Sequence, residues 1–119
     1  MKTLALLGCG RIGAVHAATL KEVDRVSLKW VYDSNRDTAE FFSKQYGGCV
    51  ASSLEHILED AQVDGVLITS PTATHPELVK KSLVSGKGVF CEKPIALDLE
   101  LAYQIKEVYS AYNMPFVMG

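Results

Sequence analysis

Leu4-Ala5-Leu6-Leu7-Gly8-Cys9-Gly10-Arg11-Ile12-Gly13 is an apolar run that ends in glycines spaced G-x-G-x-x-G. A second apolar run, residues 26–32, ends at Asp33. The step from Gly13 is 33 − 13 = 20 residues, the separation at which a nicotinamide dinucleotide site places its ribose-binding carboxylate. Each glycine answers a separate demand. Gly8 lets the chain turn tightly out of a strand, Gly10 leaves room for a pyrophosphate against the backbone, and Gly13 lets the next helix pack close to the sheet. That helix then offers free N–H groups and the positive end of its dipole to phosphate. The same glycines could form a βα turn with no ligand. The strand before them, the helix after them and the acid at the right distance point to a dinucleotide.

Outward from this motif, apolar strand patterns alternate with helical ones along the chain. Strands are expected at 3–7, 26–32, 49–51, 63–68, 88–92 and 115–118. The first helix, over 11–22, is expected to bury Ile12, Val15, His16 and Thr19, spaced i, i+3, i+4, i+7. A second, over 35–46, turns Ala39, Phe42 and Tyr46 inward and stops at Gly47-Gly48. Ser52-x-x-Glu55 has capping-box spacing ahead of Leu54, Ile57, Leu58 and Ala61, and Thr74 and Glu77 repeat that spacing around Pro76. Asp98 caps a last helix with Leu101, Ile105, Val108 and Tyr112 inward. This alternation reads as an α/β fold, a doubly wound parallel six-stranded sheet with strand order 3-2-1-4-5-6, as one domain over 1–119.

Composition narrows the function classes. The apolar fraction of 48% suits a soluble globular domain, and a formal net charge of −2 gives no electrostatic case for nucleic acid or an anionic membrane. No apolar run reaches the roughly 20 residues of a membrane span, and a strand starting at Thr3 leads us to expect no signal peptide. Cys9, Cys49 and Cys91 are odd in number with no C-x-x-C pair. They read as reduced cytoplasmic thiols, small and buried, although Cys9 inside the glycine loop could also be reactive. His16 reads as a core or cofactor-flanking residue and His56 as solvent-facing. No Cys, His or carboxylate cluster has metal-ligand spacing, so no metal site is expected.

Ligands of an open parallel sheet lie at the carboxyl ends of the strands, where the strand order reverses. The loops there are 8–13, 33–36, 69–75 and 92–94. Asp33 would accept from the adenosine ribose and repel a 2′-phosphate, favouring NAD over NADP, whereas Arg36 could hold that phosphate. Ser70-Pro71-Thr72, after the fourth strand, can run beside the adenosine and diphosphate, although it also suits an ordinary turn leading to a helix. His75, at the next helix start, could cap, pack or line the site. Lys93 follows the fifth strand beside Glu92. Its ammonium could donate to a substrate hydroxyl and steady the alkoxide that forms as hydride leaves carbon, although a Lys before Pro also suits a solvated turn. The Lys93–Pro94 bond could be cis.

Together GCGRIGAVHAATL at 8–20, Asp33, and DGVLITSPTATHPELVKKSLVSGKGVFCEKPIALDLE at 64–100 resemble the glucose-fructose oxidoreductase/inositol dehydrogenase/rhizopine catabolism (Gfo/Idh/MocA) superfamily. G-R-I-G-x-x-H and E-K-P look like its inositol 2-dehydrogenases. The resemblance implies cofactor contacts at Gly8, Gly10, Arg11, Ile12, Asp33, Thr69, Pro71, Glu92 and Lys93, with Lys93 also touching substrate as the catalytic residue. Thr72 stands where relatives often carry Asn. It also implies a second α/β domain that supplies the substrate pocket and an acid–base pair, commonly Asp and His, neither identifiable here. We therefore expect an N-terminal cofactor domain of a longer NAD(P)-dependent sugar or polyol dehydrogenase, homo-oligomeric when whole. The alternatives are a non-catalytic dinucleotide-binding module working through a partner protein and a fold that has lost its ligand.

Overall fold

A computed structural model describes all of residues 1–119. The strands are β1 (Lys2–Leu7), β2 (Val26–Tyr32), β3 (Cys49–Val50), β4 (Gly65–Ile68), β5 (Gly88–Cys91) and β6 (Phe116–Met118). The helices are α1 (Arg11–Leu20), α2 (Arg36–Tyr46), α3 (Leu54–Leu58), α4 (His75–Val84) and α5 (Leu99–Tyr112), with a single 3₁₀ turn at Thr72–Thr74. The strands form one sheet in the order β3-β2-β1-β4-β5-β6, every neighbouring pair parallel. The expected doubly wound topology is therefore the one observed.

Strand alternation divides the core between the two faces of the sheet. Ala5, Leu7, Val66, Ile68, Val89 and Cys91 meet Ile57, Val79, Leu83 and Ile105 from α3, α4 and α5. Leu6, Val31 and Leu67 meet Ala17, Ala39 and Phe42 from α1 and α2. The central strand β4 is buried along its whole length, which is why its sequence is apolar without alternation. On the α1 side, the part of the sheet over β4, β5 and β6 is an open trough of about 820 Å³, with Leu4, Leu67, Phe90 and Val117 in its floor and His16 and Leu20 in its wall.

The structure corrects several local expectations. Helix α1 does not bury Ile12 and Val15, which are 47% and 57% exposed; Gly13 and Ala17 face the sheet instead. A Cβ on Gly13 would lie 2.3 Å from the Gly8 carbonyl oxygen, so only glycine fits where the helix crosses the glycine loop. The α3 cap is Ser53, not Ser52, and its hydroxyl accepts from the His56 N–H at 3.1 Å. Ser52 Oγ meets the His56 ring instead, and that ring is exposed but lies over Trp30, centroids 4.5 Å apart. Thr74 does not form a capping box with Glu77. Its hydroxyl donates back to the Pro71 carbonyl at 2.6 Å, because the segment begins as a 3₁₀ turn. Ala61 is exposed because α3 has ended before it. Tyr112 is exposed because Tyr109, one turn earlier, makes the contact with Phe116. Cys49 is exposed on the two-residue edge strand β3, whereas Cys9 and Cys91 are buried as expected.

Candidate functional site

The glycine loop is held from both sides. Gly8 donates its N–H to the Tyr32 carbonyl at 2.8 Å, while the Thr69 hydroxyl donates to the Gly8 carbonyl at 2.8 Å. Gly8 has φ +109°, and a Cβ there would sit 2.4 Å from the Ser70 nitrogen, so the end of β4 presses directly on the loop. Gly10 is different. It is exposed, and a Cβ on it would meet nothing within 4 Å. It is also the N-cap of α1, with no side chain bonding the first turn. The leading N–H groups of a helix have no intrahelical partner. The N-terminus of α1 therefore presents unpaired donors and positive dipole to the open space beside Gly10, a cradle suited to an anion.

Asp33 stands at the end of β2, next to this loop. One carboxylate oxygen accepts from the Cys9 N–H and the other from the Asn35 N–H, each at 2.9 Å. A carboxylate offers about four lone-pair sites, so two remain for hydroxyl donors. The sequence showed Asp33 as a ligand acid but not as the tie between two loops. That tie joins residues 24 apart, and no local pattern announces it. Arg36 is exposed on α2, its guanidinium 3.2 Å from Glu40 one turn on. Such surface pairs are worth little, so the side chain remains free to move.

The loop after β4 uses most of its polar groups internally. Ser70 and Thr74 hydroxyls lie 2.6 Å apart, Pro71 accepts from Thr74, and Thr72 begins the 3₁₀ turn. His75 is buried, 1% exposed, with Nδ1 2.8 Å from the Pro94 carbonyl oxygen and Nε2 2.8 Å from that of Ser70. The structure thus places His75 behind the rim, between the loops that follow β4 and β5. At the end of β5, Glu92 Oε1 lies 2.6 Å from His16 Nε2 on α1, and the His16 ring meets Phe90 edge-on at 5.1 Å. Lys93 is exposed beyond it, and its bond to Pro94 is cis. The pairing of His16 with Glu92 spans 76 residues and was not legible in either motif.

Burial pushes the Cys9 thiol up to about 12, helped by the nearby negative charge of Asp33. A thiol held protonated is a poor nucleophile at neutral pH, so Cys9 serves the loop as a small packing residue. No three His, Cys, Asp or Glu side chains converge as a metal set. The trough over β4–β6 is lined by residues of the sheet face and its flanks, not by the loops that follow β1, β2, β4 and β5.

Loops from β1, β2, β4 and β5 thus converge on one edge of the sheet, where the strand order reverses between β1 and β4. Comparison with known proteins agrees with this geometry. Residues 2–119 match the model of an oxidoreductase family with an NAD-binding Rossmann fold. The chain is 37% identical to inositol 2-dehydrogenase of Rhizobium meliloti over 96% of its own length and 34% of that protein. It is 32% identical to glucose-6-phosphate 3-dehydrogenase of Bacillus subtilis over its full length and 33% of the relative. The structure of scyllo-inositol dehydrogenase from Lactobacillus casei, with bound NAD(H) and scyllo-inositol, superposes with a TM-score of 0.91 at 27% identity, over 100% of this chain and 36% of that one. The chain spans about a third of the length of these relatives. With its parallel sheet, its glycine loop and Asp33 in place, the chain belongs to the Gfo/Idh/MocA oxidoreductase family, as an NAD-binding Rossmann domain.

Proposed function

We propose that this domain holds NAD(H) for a dehydrogenase that oxidises a secondary alcohol carbon of a sugar or polyol, with an inositol as the leading substrate. One observation carries the reading: the open space beside Gly10, faced by the uncapped N-terminus of α1 and flanked by the Asp33 carboxylate. In this reading Gly10 and the N–H groups of Arg11, Ile12 and Gly13 hold the pyrophosphate, and Asp33 accepts from the adenosine ribose. Asp33 also disfavours a 2′-phosphate, which ranks NAD above NADP; the mobile Arg36 moderates that preference. Thr69 holds Gly8, and Ser70, Pro71 and Thr72 line the diphosphate side. NAD supplies the hydride acceptor when bound.

Lys93 is the catalytic residue of this proposal. Its ammonium donates a hydrogen bond to the substrate oxygen and steadies the negative charge that grows there as the C–H bond breaks. The hydroxyl proton passes to a base outside these 119 residues. The inositol assignment rests on relatives that share the cofactor-domain sequence and are named for that substrate. A cytoplasmic location is supported by the three free cysteines.

Calorimetric titration with NADH and NADPH tests the cofactor assignment. NADH is expected to bind the purified chain more tightly than NADPH. Asp33→Ala is expected to weaken NADH by about tenfold and to erase or reverse the preference, since hydrogen bonds to a charged group are worth ~1.5–3 kcal/mol. Equal affinity for both dinucleotides before and after the substitution would remove Asp33 from the ribose site. In an enzyme carrying this domain together with a substrate domain, Lys93→Ala is expected to lower turnover about a hundredfold. Steady-state kinetics on myo-inositol would show that loss in kcat, and an unchanged kcat would exclude Lys93 from the chemistry.

A further inference from the structure

We infer that His75 is a positioning residue for Lys93, a proposal that rests on the cofactor-binding reading above. Lys93 lies between two neighbours that are each held by a histidine. On one side the Glu92 carboxylate meets His16 of α1 at 2.6 Å. On the other the Pro94 carbonyl meets Nδ1 of His75 at 2.8 Å. The opposite nitrogen of the same His75 ring reaches the Ser70 carbonyl, also at 2.8 Å. The buried imidazole therefore spans the gap between the loop after β4 and the loop after β5, the two loops that frame the reacting end of the proposed site.

Both atoms that His75 meets are carbonyl oxygens, which only accept. A neutral ring has one N–H and fills one of these contacts, whereas an imidazolium has two and fills both. The two ring nitrogens sit on opposite edges of one rigid plane, each facing one of the two carbonyls. Phenylalanine would fill the space but leave both carbonyls without a donor, and asparagine would supply a donor to one side only. The backbone flanking Lys93 is thus fixed by a ring that itself has no access to ligand or solvent. An exposed lysine on a free turn would sample many positions. One whose following carbonyl is anchored to the Ser70 loop starts from a fixed backbone.

A double-mutant cycle read by NADH binding tests this, using the wild-type chain, Lys93→Ala, His75→Phe and the double variant, with thermal denaturation of each. His75→Phe is expected to weaken NADH about fivefold to tenfold when Lys93 is present and less than twofold in the Lys93→Ala background. His75→Asn is expected to recover part of the loss, and it carries the cycle if His75→Phe fails to fold. Equal losses in both backgrounds would make His75 a purely structural residue and overturn the proposal, as would unchanged NADH affinity in Lys93→Ala. Failure of the wild-type chain to bind NADH would overturn the cofactor reading itself, and this proposal with it.

Discussion

Gly8→Ala is expected to cost the chain about 3 kcal/mol or more of stability, while Gly10→Ala costs almost none, although the two glycines share one motif. Two independent terms act at Gly8. Its φ of +109° is a conformation that side-chain-bearing residues avoid, and the new methyl would lie 2.4–2.6 Å from backbone atoms of Thr69 and Ser70. That backbone cannot retreat without pulling β4 from the centre of the sheet, because the Thr69 N–H donates to the Leu7 carbonyl at 2.8 Å. Gly10, by contrast, has φ −91°, and its added methyl would meet open space. For a domain of this size, ~3 kcal/mol is a fall in Tm of about 10 °C or more. Thermal denaturation should therefore separate the variants clearly, with Gly13→Ala joining Gly8→Ala because its methyl would lie 2.3 Å from the Gly8 oxygen. NADH titration should divide them the other way. Gly10→Ala is expected to keep its fold and lose about tenfold in affinity, as its methyl occupies the approach of the pyrophosphate. Similar melting temperatures for Gly8→Ala and Gly10→Ala would contradict the packing described here. Unchanged NADH affinity in Gly10→Ala would take that glycine out of the site.

The same contrast explains what could be read from the chain and what could not. Strand order and loop placement were legible because they follow from the sequence of elements: apolar runs at strand period, helices between them, and glycines where the chain must turn. The face of α1 was misread because periodicity ranks residues by apolarity, whereas the close approach to Gly8 selects by size. Ile12 and Val15 lost the inward positions to Gly13 and Ala17 for that reason. Caps shifted by one residue where neighbouring serines compete, as at Ser52 and Ser53. The candidate site divided along similar lines. Gly10, Asp33 and Lys93 belong to motifs with recognisable spacing. His16 with Glu92, and His75 with the carbonyls of Ser70 and Pro94, depend on where the sheet brings separate loops, and neither histidine carries a local signature of its partner.

Alkaline pH should destabilise the chain through the two buried cysteines, Cys9 and Cys91. Burial pushes the Cys91 thiol up to about 12, with the negative charge of Glu92 adding to the effect, and Cys9 is raised to about 12 by burial and Asp33. The unfolded reference is 9.0 for both. In the folded chain each thiol keeps its proton between these values, while the unfolded chain releases it. The unfolded state therefore binds fewer protons, and stability falls as pH rises. The contribution is complete below about pH 8 and is lost through the window from pH 9 to 12, at a slope of at most ~1.4 kcal/mol per pH unit for each cysteine. Urea denaturation across that range measures the slope. Replacing Cys9 and Cys91 with alanine is expected to flatten it by up to ~2.8 kcal/mol per pH unit. All other groups are common to the variants, so the differences isolate the two thiols. Parallel slopes in the parent and the double variant would mean that Cys9 and Cys91 ionise as freely in the fold as outside it. In that case Cys9 would become an available thiolate inside the glycine loop.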